Sequence, residues 1–599
     1  MATDELLSEV DGGHLANETK SIFAHIERGL QSHPHSPAVI CMHQPSYHLA
    51  ALVAVDDKLQ HENGFKDCLV LTYSQLHQVA LRLSAGLLAK GLKPGSTVLI
   101  AIENGAEWAI LIWCCAILRL TCAALAPSVL DESRRLEQRR YLSALKPSVV
   151  IVDDMAKADV FDRALQGLDL ERPLCISLTG VKTDGRTLTL QEMIIEIHSR
   201  GYDEEALLLD ARKDDPERIH SVLFTSGTSA GEPKGCLLRV AGMTHILESQ
   251  AWFLDPENCG LVLQQAHNAR AIAERHLLQT WQVGGAVVLS TGQSFAIAHT
   301  IEAIVKHHVT FLVLSPPMVH ALAQMLADDP SSRDCVRSVQ VGGDAVTKEV
   351  LTKCAGLFPN AKVFINHGMS EGGGFFQWPF FQTPIREIPW VVGLSPTGHV
   401  AAGARVRIGD EQRKLVRRGE AGQLHVCCDS IIPYYLGGVD AASFLQDGDT
   451  CWFDTSDIAT MDSEGVVCIL GRAKDAVKRD GKVMMTAVLE SCIESYAGIQ
   501  VSVVSVTIPR SMHDPKPYAV LATFGDLKEY DLYEISQHVL QTLGDSYALG
   551  GVVSLEQIGL IEFPINATHK VLKWKLRQAV IGFLDGKEMY GQSHRTSRE

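Results

Sequence analysis

Ser221-Val222-Leu223-Phe224-Thr225-Ser226-Gly227-Thr228-Ser229-Ala230-Gly231-Glu232-Pro233-Lys234-Gly235 is the stretch on which the reading of this chain turns. An apolar run, Val222 to Phe224, reads as a strand that feeds a loop holding three glycines, four hydroxyls and one lysine. Glycine lets backbone N–H groups converge on an anion at close range. Hydroxyls add donors and lysine adds a mobile positive charge, so the composition suits a polyphosphate. The loop is not the common P-loop, in which Gly-Lys-Ser/Thr follows a four-residue gap and opens a helix on the phosphates. Here proline precedes the lysine and the lysine precedes the last glycine. By composition alone, a Gly/Ser-rich surface loop accounts for the stretch equally well.

Around this loop, helix, turn and apolar strand recur. Thr72 to Leu88 carries Leu76, Val79, Ala80, Leu83 and Leu87 at helical spacing, with a capping box between Thr72 and Gln75. Lys93-Pro94-Gly95 turns the chain into a strand at Val98–Ile102. Arg140 to Leu145 leads into Val149 to Val152, and His299 to Lys306 leads into Val309 to Leu314. Such alternation predicts an α/β fold with largely parallel sheets. Near Gly471 to Lys478 a new unit begins: a helix, strands at Val501–Ile508 and Tyr518–Phe524, another helix and a strand. The expected architecture is a large N-terminal domain (residues 1–471) of mixed and parallel sheets flanked by helices, plus a small α+β C-terminal domain (477–599).

The 599 residues are too many for one ordinary core. A net charge of −16 and the lack of any long Lys/Arg run argue against a nucleic-acid binder. Fifteen cysteines lie without C-x-x-C spacing, which disfavours a zinc site or a disulfide framework and fits free thiols in a reducing compartment. The N-terminus is acidic and polar, unlike a signal peptide, and Trp108 to Leu118 is too short to span a bilayer and reads as a buried helix. The expectation is a cytoplasmic protein with no membrane span.

The loop resembles the signature Thr-Ser-Gly-Thr-Thr-Gly-x-Pro-Lys-Gly of the adenylate-forming superfamily, with one extra residue around Ala230. That superfamily includes acyl- and aryl-CoA ligases, peptide-synthetase adenylation domains and beetle luciferase. Further matches follow in the family's order. Leu71-Thr72-Tyr73, Lys93-Pro94-Gly95 and Glu103-Asn104 look like its N-terminal signature, and Gly342-Gly343-Asp344-Ala345 resembles its adenine-side turn. Asn366-His367-Gly368-Met369-Ser370-Glu371 resembles Tyr-Gly-x-Thr-Glu, with His for Tyr and Ser for Thr. Phe453-Asp454-Thr455-Ser456-Asp457 resembles Thr-Gly-Asp, with Ser for Gly. Gly471-Arg472-Ala473-Lys474-Asp475, with Lys478 and Gly481, looks like the hinge segment. Pro564 to Leu576, with Lys570, resembles the terminal lysine motif, with His569 in place of Gly.

The resemblance implies that a carboxylate displaces pyrophosphate from the α-phosphorus of ATP. Attacker and target are both anionic, so the site must neutralise charge and fix geometry. It implies that Thr225, Ser226, Gly227, Thr228, Ser229, Gly231 and Lys234 bind phosphate, with Thr225 and Lys234 also serving catalysis. Glu371 would help hold Mg²⁺, a hard cation that takes oxygen ligands. Gly343, Asp344, Asn366, His367, Gly368, Met369 and Ser370 would face the nucleotide, His367 by stacking on adenine. Asp457 would accept the ribose hydroxyls, Arg472 would reach ribose or phosphate, and Lys570 would be the catalytic lysine of adenylation. Residues 472–476, centred on Lys474, would be a hinge whose rotation withdraws Lys570 and brings in the loop around Lys478 and Gly481.

In the amino-acid-activating branch an Asp pairs with the substrate ammonium. The comparable stretch here, Leu263-Gln264-Gln265-Ala266-His267, has no carboxylate, so an α-amino acid is disfavoured. His267, with Gly342 and Gly368, is a candidate for the acid pocket; a hydrogen-bonded core histidine is an equal reading of His267. Fatty, aryl and polyketide acids all stay open. The acceptor is expected to be the thiol of coenzyme A or, alternatively, the phosphopantetheine arm of a separate carrier protein, since no carrier domain is visible after Lys570. A third reading, from the substitutions at His367, Ser456 and His569, is a nucleotide-binding regulator without catalysis.

Overall fold

The computed structural model describes residues 6–17, 19–53, 67–180, 187–198, 202–225, 233–253, 260–290, 296–326, 333–479, 482–507, 515–522, 529–565 and 570–596. Seven strands form a first sheet. Its middle is parallel and fully buried, as the near-continuous apolar runs Thr97–Ala101 and Val149–Val152 require of strands covered on both faces. Its edge is the antiparallel pair β1 (Ile219–Phe224) and β2 (Gly235–Arg239), which closes the base of the glycine-rich loop with Phe224 opposite Gly235. Helix α1 (Tyr73–Ala89) covers this part of the molecule. Its N-cap is Thr72, and the capping box with Gln75 is made in both directions. Helix α2 (Ala106–Leu118) has all thirteen residues buried and ends where Arg119 turns left-handed at φ 56°. This accounts for the apolar run at Trp108: the helix is core on every side. Among the described residues no helix is long and apolar enough to cross a membrane.

A second seven-stranded sheet carries β3 (Leu261–Gln264), β4 (Phe311–Leu314), β5 (Ser338–Val341) and β6 (Lys362–Ile365), adjacent and parallel in the order β6-β5-β4-β3. Helix α3 (Ala271–Gln282) lies against one face, and α4 (Lys348–Leu357) connects β5 to β6. A third, antiparallel sheet contains the long strand β7 (Thr450–Met461) and its partner β8 (Val467–Arg472), with Asp457 opposite Arg472. A single 3₁₀ turn, Ala473–Asp475, follows β8. The chain then forms a hairpin of 476–479 with 482–485, helix α5 (Thr486–Ala497), and a three-stranded sheet of 501–506, 516–521 and 551–554. It closes with helix α6 (Lys573–Thr596). The strands expected at Val501 and Tyr518 are present, and that sheet has its own apolar core around Val504, Val520 and Leu576.

Candidate active site

The parallel strands of the second sheet all point their C-terminal ends one way, and the turns at those ends collect the polar residues. Gly342 and Gly343 leave β5. A methyl group built on Gly342 would stand 2.6 Å from the Asn366 carbonyl oxygen, and Gly343 has φ +90°, so the turn needs glycine at both positions. A methyl on Gly343 would lie 3.8 Å from the Lys570 Cε, so the lysine is lodged against this turn.

Lys570 is held in a mixed field. Burial depresses its pKa below the ordinary 10.5; Asp344 and Asp457 oppose that shift, while Arg472 and Lys474 add to it. Asp457 is buried at the end of a hydrogen-bonded turn, where its own N–H donates to the Thr455 Oγ1. Its carboxylate meets the His367 Nε2 at 3.3 Å and the Arg472 Nε at 3.0 Å. Burial alone would raise the Asp457 pKa; the His367 hydrogen bond and the nearby cations outweigh it and keep the group below its ordinary value. Arg472 is fixed by a further bond to the Thr455 carbonyl at 3.0 Å. His367 also leans on Phe375 and Phe376, with ring centroids 6.0 and 5.7 Å away.

A second cluster lies at the neck of the glycine-rich loop. The Thr225 N–H donates to the Lys234 carbonyl at 3.0 Å and the Lys234 N–H to the Thr225 Oγ1 at 3.3 Å. Lys234 extends its ammonium to Asp440 and over the Tyr435 ring, 5.1 Å from the centroid. The Tyr435 hydroxyl donates to the Glu371 Oε1 at 2.8 Å. Ser226, Gly227, Thr228, Ser229 and Gly231, expected to bind phosphate, lie outside the described residues, as does His569. Lys478 falls on the hairpin after the turn, and Lys474 is exposed on the turn itself.

The loop from Met369 to Gly372 is tied from beneath by Arg275. This guanidinium, on the buried side of α3, donates to the carbonyls of Met369 at 2.9 Å, Gly372 at 3.2 Å and Ser370 at 3.5 Å. Burial brings its pKa down to about 10 although Glu274 and Glu371 lie near. Sequence reasoning missed Arg275, Tyr435 and Asp440. Nothing local marks them, because each acts on a residue far away in the chain.

His267 is buried at the end of β3. Its Nδ1 accepts the Ala269 N–H at 3.1 Å, and the Glu103 carboxylate stands 3.7 Å from its Nε2. Burial first, then Arg270, lowers its pKa to about 4, so the ring is neutral near pH 7. Asn104 and Asn268 knit the same loops together: the Asn268 N–H donates to the Asn104 Oδ1 at 2.9 Å and the Asn104 amide to the Ala266 carbonyl at 3.1 Å.

Among the described residues no group of three or more His, Cys, Asp or Glu side chains could cage a metal. Glu371 stands as one carboxylate beside a lysine and a loop. That fits Mg²⁺, which is commonly held by one or two carboxylates together with substrate phosphates and waters.

The whole chain has known relatives. An acyl–CoA ligase of Pestalotiopsis microspora is 42% identical to it over 97% of this chain and 100% of its own length. 4-Coumarate–CoA ligase 1 of Narcissus pseudonarcissus is 23% identical over 80% of this chain and 86% of its own. The fold matches the crystal structure of the anthranilate CoA ligase AuaEII with anthranoyl-AMP at a TM-score of 0.72, with 18% identity, covering 93% of this chain and 97% of that one. ATP-bound MatB from Rhodopseudomonas palustris also gives 0.72, at 17% identity, covering 94% of this chain and 99% of that one. Residues 50–436 match the family of AMP-binding enzymes, and with this relative and this fold the chain belongs to that family, within the adenylate-forming superfamily.

Proposed function

We propose that this chain is an AMP-forming acid–thiol ligase that activates an organic, non-amino carboxylic acid with ATP and passes the acyl group to a thiol, that of coenzyme A. A carboxylate oxygen attacks the α-phosphorus, the bond to the β-phosphate bridging oxygen breaks, and pyrophosphate leaves. The thiol sulfur then attacks the acyl carbon, the acyl–phosphate bond breaks, and AMP leaves as the thiol proton is lost. The observation that carries the reading is Lys570 lodged at the Gly343 turn between Asp344, Asp457 and Arg472. A cation in that place serves a reaction that brings two anions together. The names of the relatives, an acyl–CoA ligase and 4-coumarate–CoA ligases, support the acid and the thiol.

The geometry supports the following roles. Lys570 bridges the acid and the α-phosphate, and Asp457, held by His367 and Arg472, receives the ribose hydroxyls. Lys234 leaves Asp440 for the outer phosphates. Glu371, aimed by Tyr435 and by the Arg275-supported loop, holds Mg²⁺, which neutralises phosphate charge when bound. Residues 472–476 form the hinge between a domain ending at 471 and one starting at 477, with Lys478 passing into the thiol path after rotation.

The deciding experiment is Mg²⁺-dependent ATP–pyrophosphate exchange over a panel of fatty, aryl and amino acids, followed by thioester formation with coenzyme A. Exchange confined to non-amino acids, with thioester on adding coenzyme A, is expected. ATP binding without exchange for any acid points instead to a regulator. Exchange without coenzyme A transfer, but with loading of a carrier protein, moves the acceptor to phosphopantetheine.

A further inference from the structure

Parallel strands place register partners on the same face, and alternate residues along a strand share that face. Val262 stands beside Phe311, Phe311 beside Ser338, and Gln340 beside Phe364. Gln264, Val313, Gln340 and Phe364 therefore form a row across one face of the second sheet. Helix α3 covers this face, because the His276 ring sits edge-on to Phe311 with centroids 6.1 Å apart and hydrogen-bonds Gln340. The row is remarkably short of aliphatic side chains for a core, yet Gln264 is only 3% exposed and Gln340 only 4%.

Most of the amides under α3 satisfy one another. The Asn366 amide donates to the Gln340 Oε1 at 3.4 Å, Gln250 donates to the Asn366 Oδ1 at 3.0 Å, and Gln279 donates to the Gln250 Oε1 at 2.8 Å. Gln264 is the exception: neither its Nε2 nor its Oε1 has a partner among the described residues. Burying both ends of an amide unpaired is costly, and a fold retains such a group where something else completes it. Between Gln264 and Gln340, on the middle strand of the row, Val313 is only partly buried although β4 lies inside the sheet. Space therefore opens above Val313, with an unpaired amide on one side and a paired one on the other. The row leads directly to the reaction centre: Gln340 precedes Gly342 by two residues, about 7 Å of strand, and Asn366 adjoins His367.

We infer that this space is the far end of the acid pocket, and that Gln264 selects acids bearing a hydroxyl or carbonyl oxygen remote from the carboxylate. The inference rests on the ligase reading above. Phe311, Phe364 and Phe253, packed at centroid spacings of 5.1 to 6.1 Å and almost wholly buried, give this face an apolar base that suits the body of such an acid. The Gln264 amide, which can donate and accept, meets its oxygen. A site built to hydrogen-bond an oxygen discriminates strongly against the analogue that lacks it, because its own buried group is then left unpaired.

The test is ATP–pyrophosphate exchange by the full chain with matched acids: cinnamic against 4-hydroxycinnamic acid, and octanoic against 7-hydroxyoctanoic and 7-oxooctanoic acid. For the pair that fits the pocket length, kcat/KM is expected to favour the oxygenated acid by ~10-fold or more. In Gln264→Leu and Gln264→Met that ratio falls towards one, through the oxygenated acid alone, while KM for ATP is unchanged. Both variants melt at or above the wild-type temperature, since each removes an unpaired amide. Equal kcat/KM within every pair for the wild type overturns the inference and leaves the ligase reading standing. A preference that both variants retain also overturns it. Absence of exchange with every acid brings down the ligase reading and this inference with it.

Discussion

Lys570 shows how one side chain is tuned by its surroundings. The role proposed for it in adenylation requires a proton, and its pKa is depressed below 10.5 by burial and by Arg472 and Lys474. Activity is therefore complete below the folded pKa and lost as pH rises through it, so the alkaline limb of adenylation lies below that of an ordinary lysine. Lys474→Gln removes one repelling cation and moves the limb upward, which a pH–rate profile of pyrophosphate exchange reads directly. Lys570→Ala removes the cation outright and is expected to slow adenylation by ~10²–10³-fold, about 3–4 kcal/mol. A rate within threefold of wild type would show that another group does this work. The candidate residues were legible in sequence only where charge and order in the chain marked them. Lys570, Asp457 and Arg472 lie near one another, but Tyr435 could not be foreseen as the partner of Glu371, 64 positions away. Gln264, likewise, looks in sequence like any strand-end amide.

Among the elements, the loop at 369–372 depends on helix α3. Arg275 donates to three of its carbonyls from a buried position, so Arg275→Met removes that donor from all three. We expect a lower melting temperature and, because Glu371 is then no longer aimed, adenylation slowed by ~10²-fold. The KM for the acid stays unchanged. A variant that melts normally and adenylates at the wild-type rate would show that the loop holds itself. The regular elements were the legible part of this chain. Helical spacing and a capping box place α1 to within a residue, because local packing and capping decide it. The apolar run at Trp108 could be assigned to a buried helix by length alone. The antiparallel third sheet had no clear sign in the sequence, since its strands alternate weakly and pair over distant stretches, as Glu9–Asp11 does with Arg405–Arg407.

At the scale of the molecule, the chain after the 473–475 turn docks on what precedes it through an apolar patch, where Met485, Ala487 and Val488 pack with Leu394, Cys468 and Leu470, and through a few polar contacts. The Thr347 hydroxyl, which caps α4, donates to the Glu494 carboxylate on α5 at 2.9 Å, and the Ser491 hydroxyl donates to the Gly393 carbonyl at 3.0 Å. Lys573 instead pairs with Glu490 at 2.7 Å and Thr486 at 2.9 Å, all beyond the turn, so the stretch that carries Lys570 is anchored to α5. It would travel with that helix as one piece. Proline at 474 fixes φ close to the value the 473–475 turn already uses and so holds the turn as it stands. Lys474→Pro is therefore expected to spare pyrophosphate exchange and to block thioester formation, measured in single turnover on preformed acyl-AMP. Equal loss of both steps would contradict a hinge at this position.

The crowding of Lys570, Arg472 and Lys474 also bears on the order of events. Asp344 and Asp457 offset Arg472 and Lys474, and burial, the largest cause, still leaves Lys570 depressed. While a polyphosphate is bound, its negative charge makes the arrangement comfortable. Once pyrophosphate diffuses away, only the single phosphate charge of the acyl-adenylate remains to offset the cations. If residues 472–476 are the hinge, the departing product favours the rotation, and excess pyrophosphate, which re-forms ATP and free acid from the acyl-adenylate, would hold the chain in the adenylating arrangement and keep the thiol in wait.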